Sequence, residues 1–546
     1  MSNKPENKVT TASVSSYFSN NLQQIGFSSP TKAVLTTLKE ALDNSLDACE
    51  EAGILPSLKV IIEKQGTGTM KNAEKIRILV EDNGPGIPKD IVDKVFGEFL
   101  ASSKFGRGRC TRGQQGLGIS SSVAWAQLTN ARGVQVITKT KKDKKALSCI
   151  VEVDIKNNRG LLKEEKMIDW DRDHGTSVEF LLDGKVQING EAGLLTYLQG
   201  TCLVNPHLSL RYTLPDSEEV VVERVSNEVI VAPESVNPHP HTMKLGEFIS
   251  HGHLYHGVKT KVWLKDSFSR IADSNLSQLD KAGYKAVLNK TIDQLNEAEY
   301  KGLFKAIQDL TLQPPSTRSL MNIGEDSLSK SIQRIGDVDF FAVVTRKPSI
   351  CDFKPVQIEV AIARLSDKGG NDTPIQVLRF ANRVPLQFDK KADVSVQAIE
   401  SVNWKAYGLA QPKESLPVGP YILAVSIVSP FIKFKNASKE TIDASDELLE
   451  EIRLTLIQAG QKLSKYIKKE TKANELEEKL RHIEMFTPIL IDSLMSITDE
   501  PKVRRQKLEK GLSRILGRDT ADAEEQLAKA ETSLSKQKEK DQTNEG

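Results

Sequence analysis

Cysteine is scarce in this chain. Cys49, Cys110, Cys149, Cys202 and Cys351 lie far apart among 546 residues and form no C-x-x-C pair. Neither a zinc module nor a disulfide framework is expected, and isolated thiols suit a reducing compartment. Aromatic residues make up only 5%, which argues against a surface built on stacking single-stranded bases. Net charge is almost absent, with 75 Lys and Arg against 73 Asp and Glu. Such a balance gives no global attraction to nucleic acid, so any DNA contact must come from local patches. The longest apolar stretch, near Tyr421 to Val428, is far shorter than the roughly 20 residues of a membrane span. No membrane partner is expected. The opening MSNKPENKVTT lacks the basic-then-apolar pattern of an export signal, and the expected location is cytoplasmic.

Length is what the chain does have. It exceeds one compact core, so three or four domains are expected. Residues 1–27 are polar apart from Tyr17-Phe18 and Ile25-Gly26-Phe27, and read either as a frayed terminus or as an N-terminal arm that is exchanged. Ser29-Pro30 is a helix start. Val34, Leu35, Leu38, Leu42 and Leu46 then recur at helical spacing as far as Gly53. Strands are expected at 58–63, 76–81, 134–138, 148–155 and 176–182, with helices at 95–102 and 119–128. Region 28–228 therefore reads as an α+β sandwich, helices on one face of a mixed sheet. The Pro- and His-rich segment Val231–His241 is a break, short helices fill 242–310, and Pro314-Pro315 marks the next boundary. Strands return at 340–345, 357–363, 376–380 and 421–428, followed by a long helix from about Ser445 to Glu470. The charged stretch from Asp519 reads as a solvated tail.

Three separated motifs carry chemistry. Glu40, Asn44 and Asp47 fall at i, i+4 and i+7 and share a helix face. ATP hydrolysis needs a group that orients and deprotonates water, and a Mg²⁺ ion that bridges the phosphates. Glu40 suits the first role and Asn44 the second; a solvated polar stripe is the plainer alternative. Asp82 ends a strand and enters Asn83-Gly84-Pro85-Gly86. Its carboxylate can accept from an adenine amino group, with Gly86 leaving room for the base; an ordinary Asp-Asn-Gly turn is the alternative. Gly113-Gln114-Gln115-Gly116-Leu117-Gly118 directly precedes an apolar helix, where backbone N–H groups and the helix N-terminus attract phosphate. No Gly-Lys-Ser/Thr follows, so this is not a P-loop, and a basic loop rather than a strand precedes it. Arg107, Arg109 and Arg112 beside it either steer ATP or are solvated. Thr176 opens the last strand of the sandwich and can close the adenine contact through water.

In this order the motifs resemble the GHKL ATPases, the Bergerat-type fold of gyrase B, Hsp90, MutL and sensor histidine kinases. LKEALDNSLDACE (38–50), EDNGPGIP (81–88), SSKF (102–105) and RGQQGLGIS (112–120) bring the resemblance closer, to the B subunits of DNA topoisomerase VI. Outside the ATP motifs, QPPSTRSLMNIGE (313–325), LRFANRVP (378–385), SVNWKAYGL (401–409) and ASKETI (437–442) do the same. The resemblance runs from about residue 13 to 470. It implies a GHKL ATPase domain at 28–228, a helix-two-turn-helix domain at 229–310, an α/β transducer domain at 311–470 and a helical or disordered tail at 471–546. It also implies phosphate contacts at Ser103, Lys104 and Gly113 to Ser120, Ile119 included, and a γ-phosphate-sensing Lys439 from the transducer. ATP and Mg²⁺ are the implied cofactors. B–B dimerisation on ATP binding by exchange of N-terminal arms, with Tyr17 and Phe18 as anchors, is implied as well. So is the topoisomerase VI A subunit as partner in an A2B2 heterotetramer, with the long helix relaying motion to it. Double-stranded DNA is the implied substrate, relaxed or decatenated. The chain departs from the family at Ser429-Pro430-Phe431-Ile432-Lys433, where a Ser-Thr-Lys-Val-Pro-like run is usual.

Other readings are weaker. A sensor kinase needs a phosphoacceptor helix upstream of the pocket, and no histidine precedes His174. A MutL-like repair clamp or Hsp90-like chaperone satisfies the ATP motifs but not 313–325 or 378–409. A non-catalytic DNA-binding module leaves Glu40 with Asn44 unexplained. Lys139, Lys141 and Lys142 are weak candidates for DNA phosphate contacts, a solvated turn being the plainer reading.

Overall fold

Ser29 and Pro30 start the first long helix as their chemistry dictates. The Lys32 N–H donates to Ser29 Oγ at 3.2 Å, and Pro30 takes the first helical position. A computed structural model describes residues 17, 21–101, 108–113, 116–230, 235–366, 373–413, 415–435, 439–443 and 445–498, with a few positions between 510 and 532. Helix α1 (Pro30–Glu51) buries Val34, Leu35, Leu38, Leu42 and Leu46 in one stripe. Strands β1 (Ser57–Thr67) and β2 (Glu74–Asp82) alternate, so Leu58, Val60, Ile62, Ile76, Ile78 and Val80 meet that stripe. Each such side chain contributes about 1.5–3 kcal/mol by leaving water.

Helices α2 (Val92–Gly97) and α3 (Gly118–Asn130) join α1 over the sheet. Strands β3 (Val134–Lys139), β4 (Ala146–Asp154), β5 (Arg159–Ile168) and β6 (Gly175–Gly184) follow. Helix α4 (Leu194–Val204), β7 (Ser209–Thr213) and β8 (Val220–Val222) complete the unit. The sheet order is β5-β4-β3-β6-β2-β1-β7-β8. Only β1 and β7 run parallel; every other neighbouring pair is antiparallel. The mixed sheet with helices on one face is the expected architecture. Helix α2 begins at Val92 rather than 95, and Leu22, Ile25 and Phe27 belong to the core, with Phe27 stacked on Trp125 at 5.6 Å. The arm therefore does not extend to residue 27. Phe18 lies outside the described residues; Tyr17 is exposed, and its hydroxyl donates to Gln24 Oε1 at 3.2 Å.

The middle unit is helical: α5 (Leu245–Gly252), α6 (Thr260–Ser267), α7 (Asp273–Leu279), α8 (Lys285–Asn289) and α9 (Glu297–Gln308). Phe248, Trp263, Phe268, Tyr300, Leu303 and Ile307 form its core. The last unit contains α10 (Glu325–Ile332), β9 (Val338–Thr345), β10 (Ser349–Cys351), β11 (Lys354–Leu365), β12 (Gln376–Ala381), β13 (Val384–Leu386), α11 (Val394–Ser401), β14 (Tyr421–Val428) and α12 (Asp446–Thr498). The sheet order is β10-β11-β14-β12-β13, with β9 also on β11. Both faces of β11 are covered, which explains its near-continuous apolar sequence. Ile358, Val360 and Ile362 pack in the core that holds α12. Ala361 and Ala363 face the other way and share a core with Leu203 and Val204 of α4. The first and last units are thus fused through apolar contacts.

Helix α12 does not stop near Glu470 but continues to Thr498. Ile452, Leu456, Ala459, Leu463 and Tyr466 anchor its first half. Ile467 packs beside them and Glu470 pairs with Arg364; further on, helix-favouring Ala, Glu, Lys and Leu carry the helix. No helix among the described residues is long and apolar enough to cross a membrane.

Candidate active site

A cavity of about 290 Å³ receives residues from five distant stretches. Glu40, Asn44 and Ser45 come from α1. Asp82, Gly86 and Ile87 come from the turn after β2. Gly113, Gly116 and Leu117 come from the glycine loop, Gly118 and Ile119 from the start of α3, Thr176 from the first residues of β6, and Lys439 from the last unit. Asn44 is exposed to this space and Glu40 half-buried. A side chain added at Gly118 would meet Glu40 Oε2 at 1.8 Å, so the carboxylate lies against the start of α3.

Asp82 is buried in the cavity wall. Its Oδ1 accepts from the Gly84 N–H at 2.8 Å and the Thr176 N–H at 3.1 Å, and Oδ2 from the Ser45 hydroxyl at 2.9 Å. Burial pushes its carboxyl up to about 6, against the pull of those donors. Ile25, Ile87, Phe96 and Val178 add apolar wall nearby. A fixed carboxylate in an apolar cleft suits the amino edge of a flat base. Thr176 Oγ1 lies 3.3 Å from Thr138 Oγ1, which accepts from the Ile87 N–H at 2.7 Å. Gly86 has φ +74, and a Cβ there would sit 2.1 Å from the Lys139 carbonyl. Close approach of β3 therefore demands this glycine, beyond the room a base needs.

At the other end, Leu117 precedes α3 without a side-chain cap. The N–H groups of the first turn are those that bind phosphate. The Gly116 carbonyl accepts from Leu100 N–H at 2.8 Å, tying the loop to the chain before it. Ser120 does not reach the cavity: its hydroxyl donates to the Glu98 carbonyl at 2.7 Å. Ser103, Lys104, Gln114 and Gln115 lie outside the described residues, as does Arg107. Lys439 takes φ +54, and its Nζ donates to the Arg112 carbonyl at 2.8 Å. Next to it, Glu440 pairs with Lys32 of α1 at 2.8 Å.

Arg112 is neither solvated nor turned toward the cavity. It is buried, with Nη1 on Asp47 Oδ1 at 2.7 Å and Nη2 on Glu50 Oε1 at 2.7 Å and on Asn205 Oδ1 at 2.6 Å. Asp47 accordingly serves Arg112 rather than the Glu40–Asn44 face. Arg383, from the turn between β12 and β13, donates to Glu50 Oε2 at 2.6 Å, and His207 Nε2 lies 2.9 Å from Oε1. Burial would raise the Glu50 carboxyl; Arg112 and Arg383 outweigh it and hold it well below the usual range. Burial lowers the His207 imidazole, so it remains neutral near pH 7. Sequence reasoning misses Ser45, Thr138, Glu50 and Arg383. Glu50 does leave a signal: it continues the row Leu38, Leu42, Leu46 by one more turn, which puts a carboxylate on the core stripe.

Fold and cavity together define an ATPase domain of the kind shared by histidine kinases, gyrase B and Hsp90, joined to a second sheet unit that reaches into its site. Residues 31–184 match the family described as histidine kinase-, DNA gyrase B-, and HSP90-like ATPase. Residues 315–479 match the topoisomerase VI B subunit transducer. The chain is 35% identical over 472 residues to the B subunit of type 2 DNA topoisomerase 6 from Methanococcoides burtonii, covering 86% of this chain and 74% of that one. It is 32% identical over 508 residues to the corresponding protein of Archaeoglobus fulgidus, covering 92% and 82%. With that of Pyrococcus furiosus it shares 30% over 566 residues, covering 95% and 96%. This chain belongs to the family of type 2 DNA topoisomerase 6 B subunits.

Proposed function

We propose that the cavity binds ATP with its base against Asp82 and Thr176 and its phosphates along Gly113–Gly118, and that Glu40 activates the attacking water. One observation carries this reading: Glu40, Asn44, Asp82, the glycine loop and Lys439 line one space although up to 399 positions separate them. Asn44 would hold Mg²⁺ through its amide oxygen. Among the described residues no group of three or more His, Cys, Asp or Glu could hold a metal ion, which suits an ion held by one side chain together with phosphate oxygens. Such an ion would neutralise charge developing on the phosphates. Lys439 adds a cation from the other unit, so the last domain senses whether the γ-phosphate is present.

In the assembly, two copies of this chain close on ATP through their N-terminal arms. The topoisomerase VI A subunit, the other half of the heterotetramer, breaks and rejoins a DNA duplex. This chain gates passage of a second duplex, in the cytoplasm. The division into an arm, an ATPase domain, a helix-two-turn-helix domain and a transducer follows the same reading. Exposed Met485, Phe486, Ile489 and Leu490 near the end of α12 support a partner contact there.

Glu40→Ala tests the site. Hydrolysis is expected to fall by about 100-fold or more, the usual contribution of a general base, while a non-hydrolysable nucleotide still binds. Unchanged hydrolysis removes Glu40 from this role. At the level of the assembly, ATP-dependent relaxation of supercoiled plasmid is expected from this chain together with its A partner and from neither alone.

A further inference from the structure

Glu50 is the point at which the nucleotide loop and the last domain share one side chain. Its carboxylate accepts from Arg112, which leads into the glycine loop, and from Arg383, which leaves β12 in the last domain. All three are almost fully buried. The charges balance locally, because Asp47 and Glu50 face Arg112 and Arg383. Arg112 also does something its guanidinium does not: its backbone carbonyl is the resting partner of Lys439 Nζ. One residue thus carries a buried ion cluster on its side chain and the cation's acceptor on its backbone. Its neighbour Gly113 donates its N–H to Asp47 Oδ2 at 3.3 Å, so the cluster also fixes the first residue of the loop.

We infer that Arg383, acting through Glu50 and Arg112, is a positioning residue for ATP hydrolysis: it sets where Lys439 stands relative to the γ-phosphate. Arg383 lines neither the cavity nor the Lys439 contact. It meets Arg112 through Glu50, on which both guanidiniums converge, and the backbone carbonyl of Arg112 holds the cation. Movement of the last domain relative to α1 pulls on Arg383, shifts the Arg112 backbone and so moves Lys439. The coupling works in both directions, because a γ-phosphate that captures Lys439 releases the Arg112 carbonyl. This inference rests on the reading of the cavity as an ATP site.

A double-mutant cycle tests it. The full chain is prepared with Arg383→Met, with Lys439→Ala, and with both. Arg383→Met is expected to lower kcat by about tenfold or more with little change in KM, and to change kcat less than about twofold once Lys439 is already alanine. Arg383→Lys, which keeps the charge beside Glu50, should recover part of the loss. Thermal unfolding checks that each variant folds. Should Arg383→Met fail to fold, the charge-balanced pair Glu50→Gln with Arg383→Gln carries the same expectation. Equal losses of kcat with and without Lys439 would reduce Arg383 to a structural residue and overturn the inference. So would a folded variant with unchanged kcat. If Lys439→Ala alone is silent while hydrolysis still depends on Glu40, the inference fails and the ATP site stands. If hydrolysis does not depend on Glu40, the reading of the site fails first.

Discussion

The Glu40 carboxylate occupies the space that a side chain at position 118 would need: a Cβ on Gly118 would lie 1.8 Å from Oε2 and 2.0 Å from Cδ. The glycine at the start of α3 is therefore a condition for the base, independent of any role in holding phosphate. Gly118→Ala should push the carboxylate out of place and leave the rest of the core intact. Hydrolysis is expected to fall by about 100-fold, as when a general base is misplaced, with thermal stability near that of the parent. Gly246→Ala is the matched control. It adds the same methyl to another helix, where a Cβ has nothing within 4 Å, and activity should not change.

Gly86 faces a different constraint. Its φ of +74 and the Lys139 carbonyl, 2.1 Å from an added Cβ, both oppose a side chain. Gly86→Ala should cost about 1–3 kcal/mol in urea unfolding. Because Asp82 and Gly86 share one turn, nucleotide affinity should fall as well, in contrast to Gly118→Ala, where binding survives and turnover does not. Measuring Kd and kcat for both variants separates the base-reading end of the cavity from the reacting end.

The parts of this molecule that can be read in the sequence are local. α1 announces itself through Ser29-Pro30 and a leucine row, and the glycine loop through its position before an apolar helix. β5 escapes such a reading, because as an edge strand it buries almost nothing and shows no clear alternation. The end of α12 escapes it for the opposite reason: its second half is helical by composition, while the apolar row that marks the first half stops at Tyr466. The Glu50–Arg383 pair spans 333 positions, and no spacing rule reaches that far. Arg112 shows how composition misleads. An arginine beside glycines in a basic loop looks solvated, yet its carboxylate partners, Asp47 and Glu50, wait on the last turns of α1, more than 60 positions away in sequence.

Asp183 shows what else a buried carboxylate does in this fold. Its Oδ2 accepts from the Thr69 hydroxyl at 2.6 Å and from the Met70 N–H at 2.8 Å, pinning the loop between β1 and β2. Burial raises its carboxyl, but these hydrogen bonds outweigh it, and the net shift is downward from the usual value. A lowered folded-state pKa means stability that is present above the unfolded pKa, near 3.8, and lost as pH falls through the folded value. Asp183→Ala should therefore cost about 1.5–3 kcal/mol at neutral pH, the range for hydrogen bonds to a charged group. The gap between parent and variant should narrow in acid. A gap that stays constant with pH would mean that the side chain acts by packing alone.

Asp82 has the reverse sign, and that makes nucleotide binding pH-dependent. Burial raises its carboxyl from 3.8 to about 6 in the folded chain, so between those values the unliganded protein holds a proton there that the unfolded chain releases. In the free protein this contributes stability below the unfolded pKa that is lost as pH rises through about 6. Binding asks for the opposite state, because only the ionised carboxylate offers both oxygens as acceptors to an amino group. Affinity should therefore weaken as pH falls below about 6, approaching tenfold per pH unit, and be flat above it. ATP itself takes up a proton in this range, so the comparison must be made against Asp82→Asn with the same nucleotide. The variant should bind more weakly near pH 8, and the ratio of the two Kd values should shrink as the parent protonates. Asp82→Asn should also be no less stable than the parent above pH 6, because it removes a buried charge while Ser45 can turn its hydroxyl to accept. A Kd ratio that does not change between pH 5 and 8 would mean that Asp82 does not read the base through its ionised form.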